Sequence, residues 1–224
     1  MSGLHKGAKE VALKGAALLN RPRAQANLRR LLETTAGPYR IAVGTGSHPL
    51  EGWINTDIGW RAQYYLDLLQ PWLFPPGSVS RVFSDNVIEH FSLASAPKLL
   101  GHMFKAVAPG GRVRLATPDV EGTARIYLDD PDAALAHLER NRRHGYPGTY
   151  PVEILKTMFC ESHHDSGFLY DFAALSSELV KAGFSDVCRC EIGTSDDPQF
   201  VGLEKRTGPT DLLTQLAVEA IKPE

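Results

Sequence analysis

Apolar residues recur along this chain with two alternating periods, and the alternation reads as a series of β-α units. Residues 4–35 read as helical, with Leu28, Leu31 and Leu32 on one face. Pro22 is expected to break that helix in two, and its second piece stops at Ala36-Gly37-Pro38. Short strand-like runs follow at Tyr39–Val43, Gly52–Ile58, Tyr64–Leu68 and Val79–Ser84. Leu93–Val107 carries Ala96, Leu99, Leu100, Met103, Phe104 and Val107 at helical spacing, ends at Pro109-Gly110-Gly111, and leads straight into a fifth strand, Arg112–Thr117. Strand, helix, glycine stop, strand is the rhythm of a parallel sheet. One spacing is unusual. Only residues 45–52 separate the first two strands, and a parallel crossover with its helix needs roughly 10–12 residues or more. Either that helix is reduced to a turn or the two strands are not neighbours. Beyond Pro118 the pattern loosens, with a helical piece at Ala133–Arg142. It returns with a helix at Phe172–Ala182, a turn at Gly183-Phe184, and strands at Val187–Ile192 and Phe200–Glu204, and 209–224 reads as a short surface helix.

The 224 residues suit one α/β domain spanning 1–224, with a helical segment at 1–36 and an insertion at 119–168 after the fifth strand. A hydrophobic fraction of 43% is enough for a sizeable core. The net charge of −2 lacks the basic footprint of a nucleic-acid binder, so no nucleic acid is expected as partner. Cys160, Cys188 and Cys190 lack a metal-ligand spacing and are expected to be buried thiols in a reducing cytoplasm. No apolar run approaches the ~18 residues of a membrane span, and Glu10 with no apolar stretch around it disfavours a targeting peptide. The N-terminal segment is expected to cover one side of the sheet or to make a homodimer contact, a membrane-surface helix being the sharper alternative.

Candidate chemistry falls just after the strands. Gly44-Thr45-Gly46 lets the backbone turn sharply and approach a ligand. The third glycine of a dinucleotide fingerprint is absent, because position 49 is proline. Asp57 ends the second strand, where a carboxylate can accept both hydroxyls of a ribose or simply sit on the surface. Glu89 and His90 open a helix, which suits helix-dipole complementarity and capping as well as a substrate role. Asp119 follows Pro118, where it can cap the next helix or face an acceptor. Arg140-Asn141-Arg142-Arg143-His144-Gly145-Tyr146 mixes basic and aromatic groups, as a sugar- or phosphate-binding surface or a solvated helix face would. Cys160-Glu161-Ser162-His163-His164-Asp165 gathers metal-capable groups ahead of Tyr170-Asp171, which are expected to line the same mouth.

In this order, the Gly44-Thr45-Gly46 turn, Trp53 to Ile58, Asp67 to Pro71, Asp85 to Phe91, Ala108 to Arg112 and Ala182 to Val187 resemble class I S-adenosylmethionine (SAM)-dependent methyltransferases. The resemblance is detailed over residues 39–119 and looser over 170–204. It is closest to the small-molecule O-methyltransferase branch associated with sugar and polysaccharide modification. In overall pattern and Ala/Arg-rich composition the chain is also similar to mycobacterial methylmannose polysaccharide methyltransferases. The resemblance implies a Rossmann-like sheet, mostly parallel with an antiparallel last strand and flanked by helices, and a substrate-covering segment after the fifth strand. It implies SAM as cofactor, with Gly44, Thr45 and Gly46 against its methionine part and Asp57 and Ile58 at the ribose. Asp67 and Leu68 would frame the adenine, and Asp85 and Asn86 would meet the methionyl group. The acceptor would be a small polar molecule, a sugar or oligosaccharide, methylated on a hydroxyl. Such an oxygen needs a base, and His144 is preferred ahead of His164 and His163, with Asp119 and Glu89 as further catalytic groups. Those carboxylates could also hold an assisting Mg²⁺. The alternatives are a methyltransferase acting on RNA or another small molecule, and a non-catalytic SAM-binding regulatory subunit.

Overall fold

A computed structural model describes residues 2–160 and 164–224. Among these residues seven strands form one sheet: β1 (Tyr39–Val43), β2 (Ile54–Asp57), β3 (Tyr64–Tyr65), β4 (Val79–Asp85), β5 (Val107–Pro118), β6 (Ser185–Cys190) and β7 (Gln215–Ile221). Their spatial order is β3-β2-β1-β4-β5-β7-β6. Strands β1 to β5 pair in parallel, and β7 runs antiparallel to both β5 and β6. Among the described residues seven α-helices accompany them: α1 (Ser2–Thr34), α2 (Ala96–Ala106), α3 (Val120–Asp129), α4 (Pro131–Arg143), α5 (Glu153–Cys160), α6 (Phe172–Lys181) and α7 (Pro209–Thr214). Among the described residues no helix is long and apolar enough to cross a membrane.

Alternation along each strand sends successive side chains to opposite faces, and the two faces are covered differently. Tyr39, Ile41 and Val43 of β1, Val82 of β4, Val113 and Leu115 of β5, and Leu216, Val218 and Ala220 of β7 join one core with Leu99, Leu100 and Met103 of α2 and Leu175 and Leu179 of α6. The opposite face has no helix between β1 and β2. Those strands are nonetheless neighbours in parallel register, Ile41 opposite Ile54, so the short spacing reflects a lost helix. Trp53 fills part of the space, packing with Ala42, Phe83 and Phe200. Phe200 was expected on a strand. It belongs instead to a long strap, residues 191–214, that leaves β6 and crosses back over β5, β4 and β1 before returning as β7. Its ionic and polar ties include Glu204 to Arg114 of β5, Asp197 to Arg81 of β4 and Gln199 to Arg40 of β1.

Three further expectations change. The helix through Pro22 is continuous. Pro22 is exposed, so the carbonyl its missing amide leaves unpaired can turn to water. The surface helix expected over 209–224 is only the short α7, and the rest is β7, buried from Leu216 to Ala220. The charged residue that disguised this strand, Glu219, is itself buried against Arg114, 2.5 Å away. The cysteines are not buried. Cys160, at the end of α5, and Cys188 are exposed and Cys190 is half-exposed, the last two lying on β6 at the edge of the sheet. Of α1, the second half packs on the β3 edge, burying Ala24 and Leu28 and donating from Asn20 and Asn27 to the carbonyls of Ala62 and Gln63.

Candidate functional site

Ligands of open parallel sheets sit beyond the carboxyl ends of the strands, at the point where strand order reverses. Here that point lies between β1 and β4, and the loops leaving them touch. Gly44 has φ +65°, and a Cβ there would lie 2.3 Å from a Val87 methyl. Only glycine allows this approach. Gly46 has φ +57° with open space where its Cβ would be, so the turn presents bare backbone outward. Asp57, at the end of β2, accepts the amide of Gly46 at 2.9 Å and that of Gly59 at 2.6 Å. It ties the glycine turn to the β2–β3 turn and, having about four lone-pair sites, retains acceptor capacity. Ile58 beside it is 58% exposed, an apolar surface at the lip of this edge.

At the end of β4, Asn86 adopts φ +55°, a region few non-glycine residues occupy. Its carboxamide donates to Asp85 Oδ1 at 2.7 Å and Gln215 Oε1 at 3.2 Å, and accepts from Arg206 Nη1 at 2.6 Å. The backbone amide of Lys205 donates to Asp85 Oδ2 at 3.2 Å, and its ammonium reaches the Thr45 carbonyl at 3.3 Å. Lys205, Asp85, Gly44 and Thr45 therefore line one small cleft. The remaining expected positions lie apart from it. Asp67 lines a separate cleft with Arg21 and Arg29 of α1, and Leu68 is buried in the main core.

A larger cavity of about 360 Å³ opens beside this edge, and Lys205 lines it too. Its walls come from α4 and the turn after it (His137, Arg140, Asn141, His144, Tyr146), from α5 and His164, and from the strap and β7 (Arg206, Asp211, Gln215). His144 caps the C-terminus of α4, and the glycine turn that follows sets its ring at the rim. His164 holds its Nδ1 2.7 Å from the Met158 carbonyl. His163 lies outside the described residues. Arg140 pairs with Asp211 at 2.5 Å, whereas Arg142 turns away to the Gly148 carbonyl.

Burial depresses the His137 pKa to about 4, Arg140 adding to the effect and Asp211 opposing it. A group with a depressed folded pKa contributes stability that is present above its unfolded value and lost as pH falls towards the folded one. Stability is thus expected to decline between about pH 6.5 and pH 4, and His137→Gln is expected to flatten that part of the profile. Chemical denaturation of both forms across this range checks it, and an unchanged slope refutes it.

Glu89 is fully buried, and burial raises its pKa to about 8, the Thr117 hydroxyl acting in the other direction. It was expected to share a site with Asp119. Asp119 is also fully buried, but its carboxylate is taken by Arg189 of β6 and it does not line the cavity. It stands at the N-cap of α3 without making a side-chain cap bond. Arg189 thus neutralises one of the two carboxylates that were expected to hold Mg²⁺. Tyr170-Asp171 does not line the mouth either, since Tyr170 belongs to the main core and Asp171 caps α6 through the Ala174 amide. The sequence reading missed Lys205, Arg206, Asp211 and Gln215. The only local sign of the first two was a basic pair just before Gly208-Pro209.

No family model matches the chain, and no curated protein matches it. Among solved structures it is similar to Haemonchus contortus phosphoethanolamine N-methyltransferase 2 in complex with phosphomonomethylethanolamine and S-adenosylhomocysteine, with TM-score 0.50 and 16% identity over 89% of this chain and 52% of that one. It is also similar to the CurJ carbon methyltransferase (TM-score 0.48, 14% identity, 84% of this chain and 49% of that one). A third is human N-acetylserotonin methyltransferase in complex with SAM (TM-score 0.48, 13% identity, 92% and 52%). The chain spans about half the length of these structures. The fold is the Rossmann-like fold of class I SAM-dependent methyltransferases. A shared fold does not by itself fix an activity.

Proposed function

We propose that this protein transfers the methyl group of SAM to a hydroxyl of a small polar acceptor, a sugar or short oligosaccharide. The observation that carries the reading is the adjacency of the two spaces, since Lys205 lines both the cleft at the glycine turn and the 360 Å³ cavity. A donor in the first would abut an acceptor in the second. The residues at the strand ends suit SAM: an open glycine turn, a carboxylate with spare acceptor capacity for the ribose, the exposed Ile58 for a planar base, and Lys205 for the amino-acid carboxylate. SAM, when bound, supplies a methyl group already activated for displacement. What remains for the chain is to orient the acceptor, exclude water and remove a proton. Helices α3 to α5, inserted after β5, roof the cavity. Its polar lining, with Arg140, Asn141, Tyr146 and three histidines, suits a hydroxyl-rich guest. His144 is the base. Histidines beside the sulfonium also count against a purely regulatory SAM-binding subunit, and the net charge of −2 against an RNA acceptor.

The direct test is calorimetry with SAM followed by radiolabelled methyl transfer to a panel of sugars and glycans. Binding of NAD without SAM would sink the reading. Asp57→Ala removes a charge-assisted contact, and SAM affinity is expected to fall by roughly 1.5–3 kcal/mol. Unchanged affinity in that variant would take Asp57 out of the site.

A further inference from the structure

Two short turns far apart in the sequence are pressed together beside the acceptor cavity, which His164 of one of them lines. One is the 3-10 turn Ile88–His90 after β4, and the other is the 3-10 turn His164–Ser166. The Phe168 amide donates to the Glu89 carbonyl at 3.1 Å. A Cβ on Gly167 would fall 1.8 Å from that same oxygen, so the approach requires glycine. The contact brings Glu89, His90 and His164 into one cluster, with a potential ligand atom from each lying within 4.8 Å of the others. The two imidazole rings are 5.2 Å apart.

We propose that Glu89, His90 and His164 bind a divalent first-row transition-metal ion whose open coordination position faces the acceptor cavity. Three features of the cluster support this beyond proximity. Glu89 is fully buried, Thr117 donates to its Oε2 at 3.1 Å, and among the described residues its Oε1 has no hydrogen-bond partner. A buried carboxylate oxygen left in this way lacks compensation that a cation supplies. The second is the orientation of His164. A carbonyl can only accept, so the nitrogen facing the Met158 carbonyl at 2.7 Å is the protonated one. This outer hydrogen bond fixes the tautomer and the orientation of the ring, as such bonds do in histidine metal sites. Third, His164 lines the 360 Å³ cavity, so a fourth ligand can come from a water or an acceptor oxygen. Three protein ligands with one position open is the arrangement of reactive rather than structural sites. Two imidazoles and one carboxylate suit zinc and its neighbours, whereas Mg²⁺ prefers an all-oxygen set.

The test needs neither SAM nor an acceptor, so its outcome is independent of the methyl-transfer reading. Chelator-stripped protein is titrated with Zn²⁺ by calorimetry and with Co²⁺ by visible absorption. One ion per chain is expected, with d–d bands from Co²⁺. His90→Ala, at an exposed position that leaves folding intact, and His164→Ala are each expected to weaken binding at least as much as the roughly 10–100-fold loss that an outer partner causes. Thr117→Val is expected to fall within that range, and His144→Ala, which alters the same cavity outside the cluster, to bind as the parent does. Absence of binding for both ions, or equal affinity in the two ligand variants and the parent, overturns the proposal.

Discussion

Replacing Arg114 with methionine is expected to destabilise the protein by about 3–5 kcal/mol, the usual cost of removing one partner of a buried ionic group. Arg114 sits in the middle of β5 with no exposed surface. Its guanidinium is held by Glu204 of the strap and by Glu219 of β7 at 2.5 Å, and donates to the Glu191 carbonyl at 3.0 Å. Burial alone would lower its pKa, and the two carboxylates more than offset this. Methionine fills similar space but leaves two acidic groups facing one another away from water. For a chain of this size each kcal/mol corresponds to about 2–4 °C of melting temperature, so a fall of roughly 6–20 °C is expected. Changing Glu204 and Glu219 to glutamine in the same chain removes the stranded charge and is expected to recover most of the loss. The strap fastened by this cluster also carries Lys205 and Arg206 to the glycine turn, so the single variant is expected to lose SAM affinity as well. A single variant melting within about 2 °C of the parent would show that the strap is held by its apolar contacts alone.

The strap also marks the boundary of what the sequence made legible. The first five strands could be read because each is a short apolar run punctuated by glycine, proline or a terminal carboxylate, and their local signals agree with their final environment. The lost helix after β1 could be read from spacing alone. What fills its place could not. Phe200 reaches Trp53 only through the long excursion between β6 and β7, and nothing near Phe200 in the sequence announces that contact. β7 was hidden for a related reason. Glu219 interrupts its apolar pattern, and the charge makes sense only once Arg114 lies opposite it. The site divides in the same way. Gly44, Gly46, Asp57 and Asp85 stand at strand ends and were visible as local motifs. Asp119 was equally visible, but the strand pairing that brings Arg189 beside it gives it a different task. The grouping of Glu89 and His90 with His164 depends on the packing of two turns, a tertiary fact that neither segment encodes by itself.

His144→Ala is expected to lower kcat by about 10²–10⁴-fold, the usual contribution of a positioned base, while leaving SAM affinity unchanged. The expectation rests on where the ring is held. α4 begins at Asp130, whose side chain accepts the Ala133 amide, and ends at His144, whose amide returns to the Arg140 and Asn141 carbonyls. Buried Ala134, Leu138 and Asn141 fix the helix against α3 and α5, so the rim position of His144 is set by packing rather than by a mobile loop. A sugar hydroxyl is a weak nucleophile until its proton leaves, and a neutral imidazole held beside it can accept that proton. Burial holds the His137 pKa down to about 4, so of the other two imidazoles lining the cavity His164 is the competitor of His144, and the two roles separate experimentally. If His144 is the base, its alanine variant loses turnover while Zn²⁺ binding persists, and His164→Ala loses the metal. If the base is His164, the His144 variant keeps parental turnover, and the loss of kcat moves to His164→Ala without dependence on added metal. Single-turnover methyl transfer with the parent and both variants, each with and without Zn²⁺, decides between these two patterns.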